Sequence, residues 1–203
     1  GYTDTKSYSV FGDASIDLSD RTRLSVGARF TRDERTGHVH RATYLFAQQT
    51  PITGGPPATP LLTNTLYTNS RTFSQFTPRV SLSRDFSEKL TGYASYSQGF
   101  KSGGFDMRGD ALAVPNTSEG YDPEKVGTYE LGLKGSALDG RLNFSSALFY
   151  SDYTDQQVTV QAWVPETSTV ASVVANAGSS TIYGAEFEAT ANLSRSFMAF
   201  ASL

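Results

Sequence analysis

The chain has 203 residues, a formal charge of −3 and 38% hydrophobic residues, with 11 Tyr and 13 Phe but a single Trp. This balance gives no basic field for nucleic acid, and the lack of cysteine excludes a disulfide framework, thiolate metal sites and a cysteine nucleophile. No window approaches the roughly 20 apolar residues of a membrane helix, so a membrane role would fall to strands.

From Tyr8 to Leu18 the even positions are Tyr, Val, Gly, Ala, Ile and Leu, and the odd ones include Ser9, Asp13, Ser15 and Asp17. That period of two predicts a strand with one apolar face. A tight polar turn at Ser19 to Thr22 leads to a second strand, with Leu24, Val26, Ala28 and Phe30 opposite Arg23, Ser25, Arg29 and Thr31. Residues 35–71 hold Pro51, Gly54-Gly55-Pro56-Pro57 and Pro60, and are expected to be a long loop. Alternation returns with Phe76, Pro78, Val80 and Leu82 against Thr77, Arg79, Ser81 and Ser83.

After a polar turn at Asp85 to Lys89, Leu90, Gly92, Ala94 and Tyr96 face one way and Thr91, Ser95 and Ser97 the other, with Tyr93 the exception. A second long loop covers Lys101 to Pro123, and then Tyr129, Leu131 and Leu133 alternate with Glu130, Gly132 and Lys134. Gly132, on the polar parity, is expected to tolerate a charge. Asp139-Gly140 suits a two-residue turn at positive φ; Phe144, Leu148 and Tyr150 mark the strand that follows. A third loop is expected over about Asp155 to Asn176, then a hairpin with Tyr183, Ala185, Phe187 and Ala189 on its apolar side and a turn at Leu193 to Ser196.

Eight strands in four hairpins result, with short turns near 20, 87, 140 and 195 and long loops between hairpins. Short turns on one side and long loops on the other are the plan of an outer-membrane barrel. Tyr8, Phe30, Phe76, Tyr96, Tyr129, Tyr150 and Tyr183 then fall near the long-loop ends on the apolar parity, as an aromatic girdle would. Within strand interiors the charges Asp13, Asp17, Arg23, Arg29, Arg79, Glu130, Lys134, Glu186 and Glu188 keep to the polar parity, with none expected on the apolar one. A soluble all-β carbohydrate-binding module and a passive porin-like barrel are the alternatives, since alternation alone is shared by sandwiches.

No constellation for catalysis is read. His38-x-His40 lacks a third ligand and reads as a solvated pair, so no metal site is assigned. Gly99 to Gly104 lacks the phosphate-loop pattern. Glu186 and Glu188 read as an interior wall rather than a glycosidase pair. No cofactor and no enzyme activity are expected.

Three blocks in order, YASYSQGFKSGGF, YDPEKVGTYELGLKGSALDGRLNFSSALFYSDYTDQQV and NAGSSTIYGAEFEATANLSRS, closely resemble the barrel domain of TonB-dependent receptors. The resemblance implies an all-β, antiparallel up-and-down transmembrane β-barrel segment of about eight strands from a larger barrel in the bacterial outer membrane. It implies energised uptake of a ferric siderophore or similarly bulky ligand, with haem, cobalamin or oligosaccharide as other cargo. The partners it implies are outer-membrane lipid, the TonB system and that ligand. Residues 1–203 are expected to be an internal part of one barrel domain, without plug or TonB box, and with first and last strands as open edges. On the long loops, Arg41, Tyr44, Phe46, Lys101, Phe105, Arg108, Tyr121 and Trp163 combine cations with aromatics and are the candidate ligand contacts.

Overall fold

The computed structural model describes residues 1–44, 61–165 and 168–203. Within them the strands are β1 (Tyr2–Ser19), β2 (Thr22–Thr43), β3 (Leu62–Ser87), β4 (Leu90–Lys101), β5 (Glu124–Ala137), β6 (Leu142–Thr154), β7 (Gln157–Val164), β8 (Thr169–Asn176), β9 (Ser180–Ser194) and β10 (Phe197–Ser202). One antiparallel sheet runs in the order β1-β2-β3-β4-β5-β6-β9-β10, and β7 pairs with β8 alone. The main sheet is open: among the described residues β1 pairs only with β2, and β10 only with β9.

Period-2 alternation places every apolar parity on one face. Ala14, Val26, Val80, Tyr96, Tyr129, Tyr150 and Tyr183 are register partners in a single row across β1 to β9. The row two residues nearer the short turns is Ile16, Leu24, Leu82, Ala94, Leu131, Leu148 and Ala185. These side chains have no protein partner layer: Val10 is 67% exposed and Leu131 60%. So long an uncovered apolar face is far larger than the patches a soluble chain tolerates.

The girdle aromatics form a staircase rather than one row. Phe30 and Phe76 are partners four positions further along β2 and β3 than the row of four tyrosines, which Val26 and Val80 share. Strand tilt produces such a stagger in a barrel, because points at equal height are not register partners.

The opposite face is polar and laced by paired charges. Asp17 accepts from Arg23 at 2.7 Å, and Arg29 donates to Ser9 at 2.7 Å. Tyr93, the exception in the alternation, lies on this face across Gly132: a Cβ at that glycine would come within 2.3 Å of the ring. The phenol donates to Glu130, and Lys134 Nζ sits 5.3 Å from the ring centroid. The tolerance expected of Gly132 is therefore corrected, because its missing side chain is the seat of Tyr93.

Three further expectations change. Residues 35–71 are in large part strand, for β2 and β3 stay paired to Thr43 and Leu62. The third loop contains the β7–β8 hairpin, paired from Gln157–Asn176 to Val164–Thr169. The absence of charge expected on the apolar parity is corrected too, for Arg84 belongs to β3 and shares that parity with Leu82 and Phe86. The 138–141 turn also differs: Leu138, Asp139 and Gly140 have φ of 52°, 53° and 81°, and Gly140 N donates to Ala137 O at 3.1 Å. Its positive-φ centre begins one residue before Asp139.

Candidate functional site

The sheet wall has no core of its own; buried side chains collect at its long-loop end. Val39, Phe73, Phe105, Val164, Ala171 and Val173 are the buried hydrophobics among the described residues. They mark where the segment 102–123 and the β7–β8 hairpin fold onto the polar-parity face of the β2–β3 extension.

That attachment is built from successive inward residues of β3. Thr65 Oγ1 donates to Gly109 O at 2.9 Å, Tyr67 OH to Thr117 O at 3.3 Å, Asn69 Nδ2 to Ser118 O at 2.7 Å and Arg71 to Glu119 O at 3.0 Å. Period-2 geometry is what lines up 65, 67, 69 and 71 on one side. A bulge, with Arg41 opposite Thr65 and Ala42 opposite Thr63, leaves Asn64 unpaired and turns it inward too. Its Nδ2 donates to Asp110 at 3.1 Å. Burial first, then the charge of Asp106, pushes the Tyr67 phenol above its ordinary range, so it stays protonated as a donor.

Two aspartates organise the segment from within. Asp106 Oδ1 accepts from Arg108 N at 2.9 Å and Asp110 Oδ1 from Leu112 N at 3.0 Å, each two residues on, the geometry of an Asx turn. The second oxygen of Asp106 takes Val174 N of β8 at 2.7 Å and so ties the hairpin to the segment. Asn176 and Gln157 add further bonds to Asp122 O at 2.8 and 3.0 Å. Between segment and hairpin lies a cavity of about 260 Å³ lined by Asp106, Asn116, Thr117, Tyr121, Val174 and Asn176, among others.

The expected ligand contacts fall into three groups. Lys101, Arg108 and Trp163 are exposed, Trp163 at 59%, and Tyr44 is exposed at 38% at the end of β2. Arg41 and Tyr121 are half-buried: Arg41 donates to Arg108 O at 2.7 Å and pairs with Asp110 at 3.4 Å, and Tyr121 lines the cavity. Phe105 is buried, 6.1 Å from the Tyr67 ring and against Gly37, so in this arrangement it anchors the segment. Phe46 lies outside the described residues.

His38 stacks on Tyr2 at 4.3 Å and bonds Thr68 at 3.1 Å. Among the described residues no group of three His, Cys, Asp or Glu could hold a metal ion. Sequence reasoning sought cations and aromatics and so passed over Asp106, Asp110, Asn64 and Thr65. Their signal was an Asp within a glycine-rich loop, a residue that forms local turns.

The family description "TonB dependent receptor-like, beta-barrel" matches residues 1–203. The chain belongs to that family. It is accordingly barrel wall of the Gram-negative outer membrane, with its apolar face to lipid, its polar face to the lumen, its short turns periplasmic and its long loops extracellular.

The ferripyoverdine receptor of Pseudomonas aeruginosa is 34% identical over 79 residues, which cover 39% of this chain and 9% of that protein. The solved ferric yersiniabactin uptake receptor FyuA from Yersinia pestis matches at a TM-score of 0.70 and 18% identity, over 96% of this chain and 25% of its own. The copper transporter OprC matches at 0.69 and 18%, over 98% and 28%. The two solved structures establish likeness of fold. The chain spans about a quarter of each of them.

Proposed function

We propose that this wall belongs to an active receptor that imports a ferric siderophore or a similar bulky ligand, energised through TonB. The observation that carries the reading is the folded extracellular cluster. Segment 102–123 and the β7–β8 hairpin stand over the lumen-facing side of the wall with Arg108 and Trp163 exposed on them, and Lys101 is exposed at the end of β4 just before the segment. Exposed cations and an indole at the same end of the wall suit an anionic, aromatic-rich chelate. The ferripyoverdine and ferric yersiniabactin receptors supply the cargo class by their names, and OprC, a copper transporter, keeps a metal complex of another kind within reach. Plug and TonB-contacting segment are assigned to the remainder of the receptor polypeptide.

Uptake of radiolabelled ferric siderophore by iron-starved cells expressing the full-length receptor tests this. Uptake should cease when TonB is deleted or the proton-motive force is collapsed. Flux that continues unchanged would instead mark a passive pore.

A further inference from the structure

Arg84 breaks the segregation of charge. Between the aromatic girdle and the short turns it is the one charged residue on the lipid-facing parity among the described residues. It is exposed, and no carboxylate or side-chain acceptor among the described residues engages its guanidinium. Its register neighbours are Thr22 and Gly92, neither charged.

Its depth is informative. Arg84 lies eight residues below the girdle residue Phe76 on β3. At about 3.4 Å per residue that is roughly 27 Å along the strand, or about 20 Å of the roughly 25 Å apolar band once a tilt of ~40° is applied. The guanidinium therefore sits just inside the periplasmic edge of the band, at the level where lipid phosphates begin.

From Arg84 an apolar groove of about 680 Å³ crosses β3, β4, β5, β6 and β9, with Phe86 at its start, small residues Ala94, Ser146 and Ala185 along it, and Phe187 at its far side. The register row of Arg84 ends at Phe187. On β3 the row of four tyrosines lies four residues below the girdle residue Phe76, whereas on β4 to β9 those tyrosines are themselves the girdle. Measured from the girdle, a register row thus lies four residues farther from the periplasm on β4 to β9 than on β3. A groove that starts at Arg84 rises into the hydrocarbon, the direction an acyl tail takes from its headgroup.

We propose that Arg84 and this groove bind one glycerophospholipid of the periplasmic leaflet, the guanidinium taking the phosphodiester and the groove an acyl chain. The planar fork of arginine matches two phosphate oxygens. The site rests on the placement of this wall in the membrane and is independent of cargo and energy source.

The test is native mass spectrometry of the full-length receptor, delipidated in detergent and titrated with phosphatidylglycerol or with diacylglycerol of the same chains. Phosphatidylglycerol should bind the wild type about tenfold more tightly than Arg84→Gln, the loss expected for one charge-assisted contact. Arg84→Lys should recover part of that affinity, and Arg195→Gln, another exposed periplasmic arginine, should lose none. Ser146→Phe, which fills the groove and leaves the charge, should also weaken binding, with folding of each variant checked by heat-modifiable gel migration. Equal phosphatidylglycerol binding by wild type and Arg84→Gln, or diacylglycerol bound as tightly as phosphatidylglycerol, would overturn the proposal and leave Arg84 a side chain that merely reaches water.

Discussion

Arg79 on β3 reaches over the whole of β2 to hold Asp13 on β1, its Nε 2.8 Å from Oδ1. The strand between contributes Gly27, register partner of both residues, and a Cβ there would meet the carboxylate at 2.1 Å and the guanidinium at 2.7 Å. Both atoms are the far ends of flexible chains, so Gly27→Ala should part the pair rather than strain the backbone. Arg79 and Asp13 side chains are 66% and 46% exposed, so solvent screening holds the pair to less than about 1 kcal/mol. Gly27→Ala and Asp13→Asn should each cost no more than that, and the double variant should cost no more than either alone. Urea unfolding of the full-length receptor measures this; additive losses would mean that Gly27 does something other than make room.

Leu131 lies on the lipid face, 60% exposed and with no protein layer over it. Leu131→Arg, two residues below the girdle residue Tyr129 and so roughly 5 Å inside the apolar band, should cost less than the roughly 2–4 kcal/mol of an arginine at mid-depth and still reduce the folded receptor in outer-membrane fractions. Ser95→Arg, on the lumen parity opposite Glu130, should be tolerated. Equal loss from both would contradict the assignment of faces.

Gly132 should be sensitive for a different reason. Gly132→Val drives a side chain into the ring of Tyr93, held there by Glu130 and Lys134, an overpacking worth about 1–3 kcal/mol. Tyr93→Ala should remove most of the penalty of Gly132→Val in the same background. Absence of that rescue in urea unfolding would show that the ring is not seated on this glycine.

Much of the wall was readable because its period-2 pattern is imposed by two unlike environments, lipid and lumen. The same rule explains where the reading lapsed. Above the membrane the outward face meets water, so Thr36, His38, His40, Thr68 and Ser70 are polar where alternation would ask for apolar residues. The inward face there packs under loops and takes Gly37, Val39 and Phe73. Hydrophobicity changes sides while the strand continues, and prolines at 51–60 drew the loop boundary far too wide. The β7–β8 hairpin did carry a signal, Val158, Val160, Ala162 and Val164 against Gln157, Thr159 and Gln161. It was hidden because a loop was expected there. The aspartate anchors were illegible for another reason: their partners, Asn64 to Asp110 for example, come together only through pairing across 46 positions.

Asp110 is buried, accepts from Asn64 and from Leu112 N, and forms an ion pair with Arg41 at 3.4 Å. Asp110→Ala leaves those donors unmet at a cost of about 1–3 kcal/mol, spent locally. Segment 102–123 should become susceptible to added protease on intact cells while the barrel keeps its heat-modifiable migration. Unchanged resistance would mean that the segment is held mainly by the contacts of Thr65, Tyr67, Asn69 and Arg71.

The most direct test of the whole account is cysteine labelling of the full-length receptor on intact cells with a membrane-impermeant maleimide, each variant compared with the unsubstituted receptor; residues 1–203 contain no native cysteine. Lys101→Cys and Trp163→Cys should be labelled, and Asp20→Cys and Asp139→Cys should react only after the outer membrane is opened. Labelling of the two turn positions on intact cells, with Lys101→Cys and Trp163→Cys silent, would mean that the wall stands the other way up in the membrane.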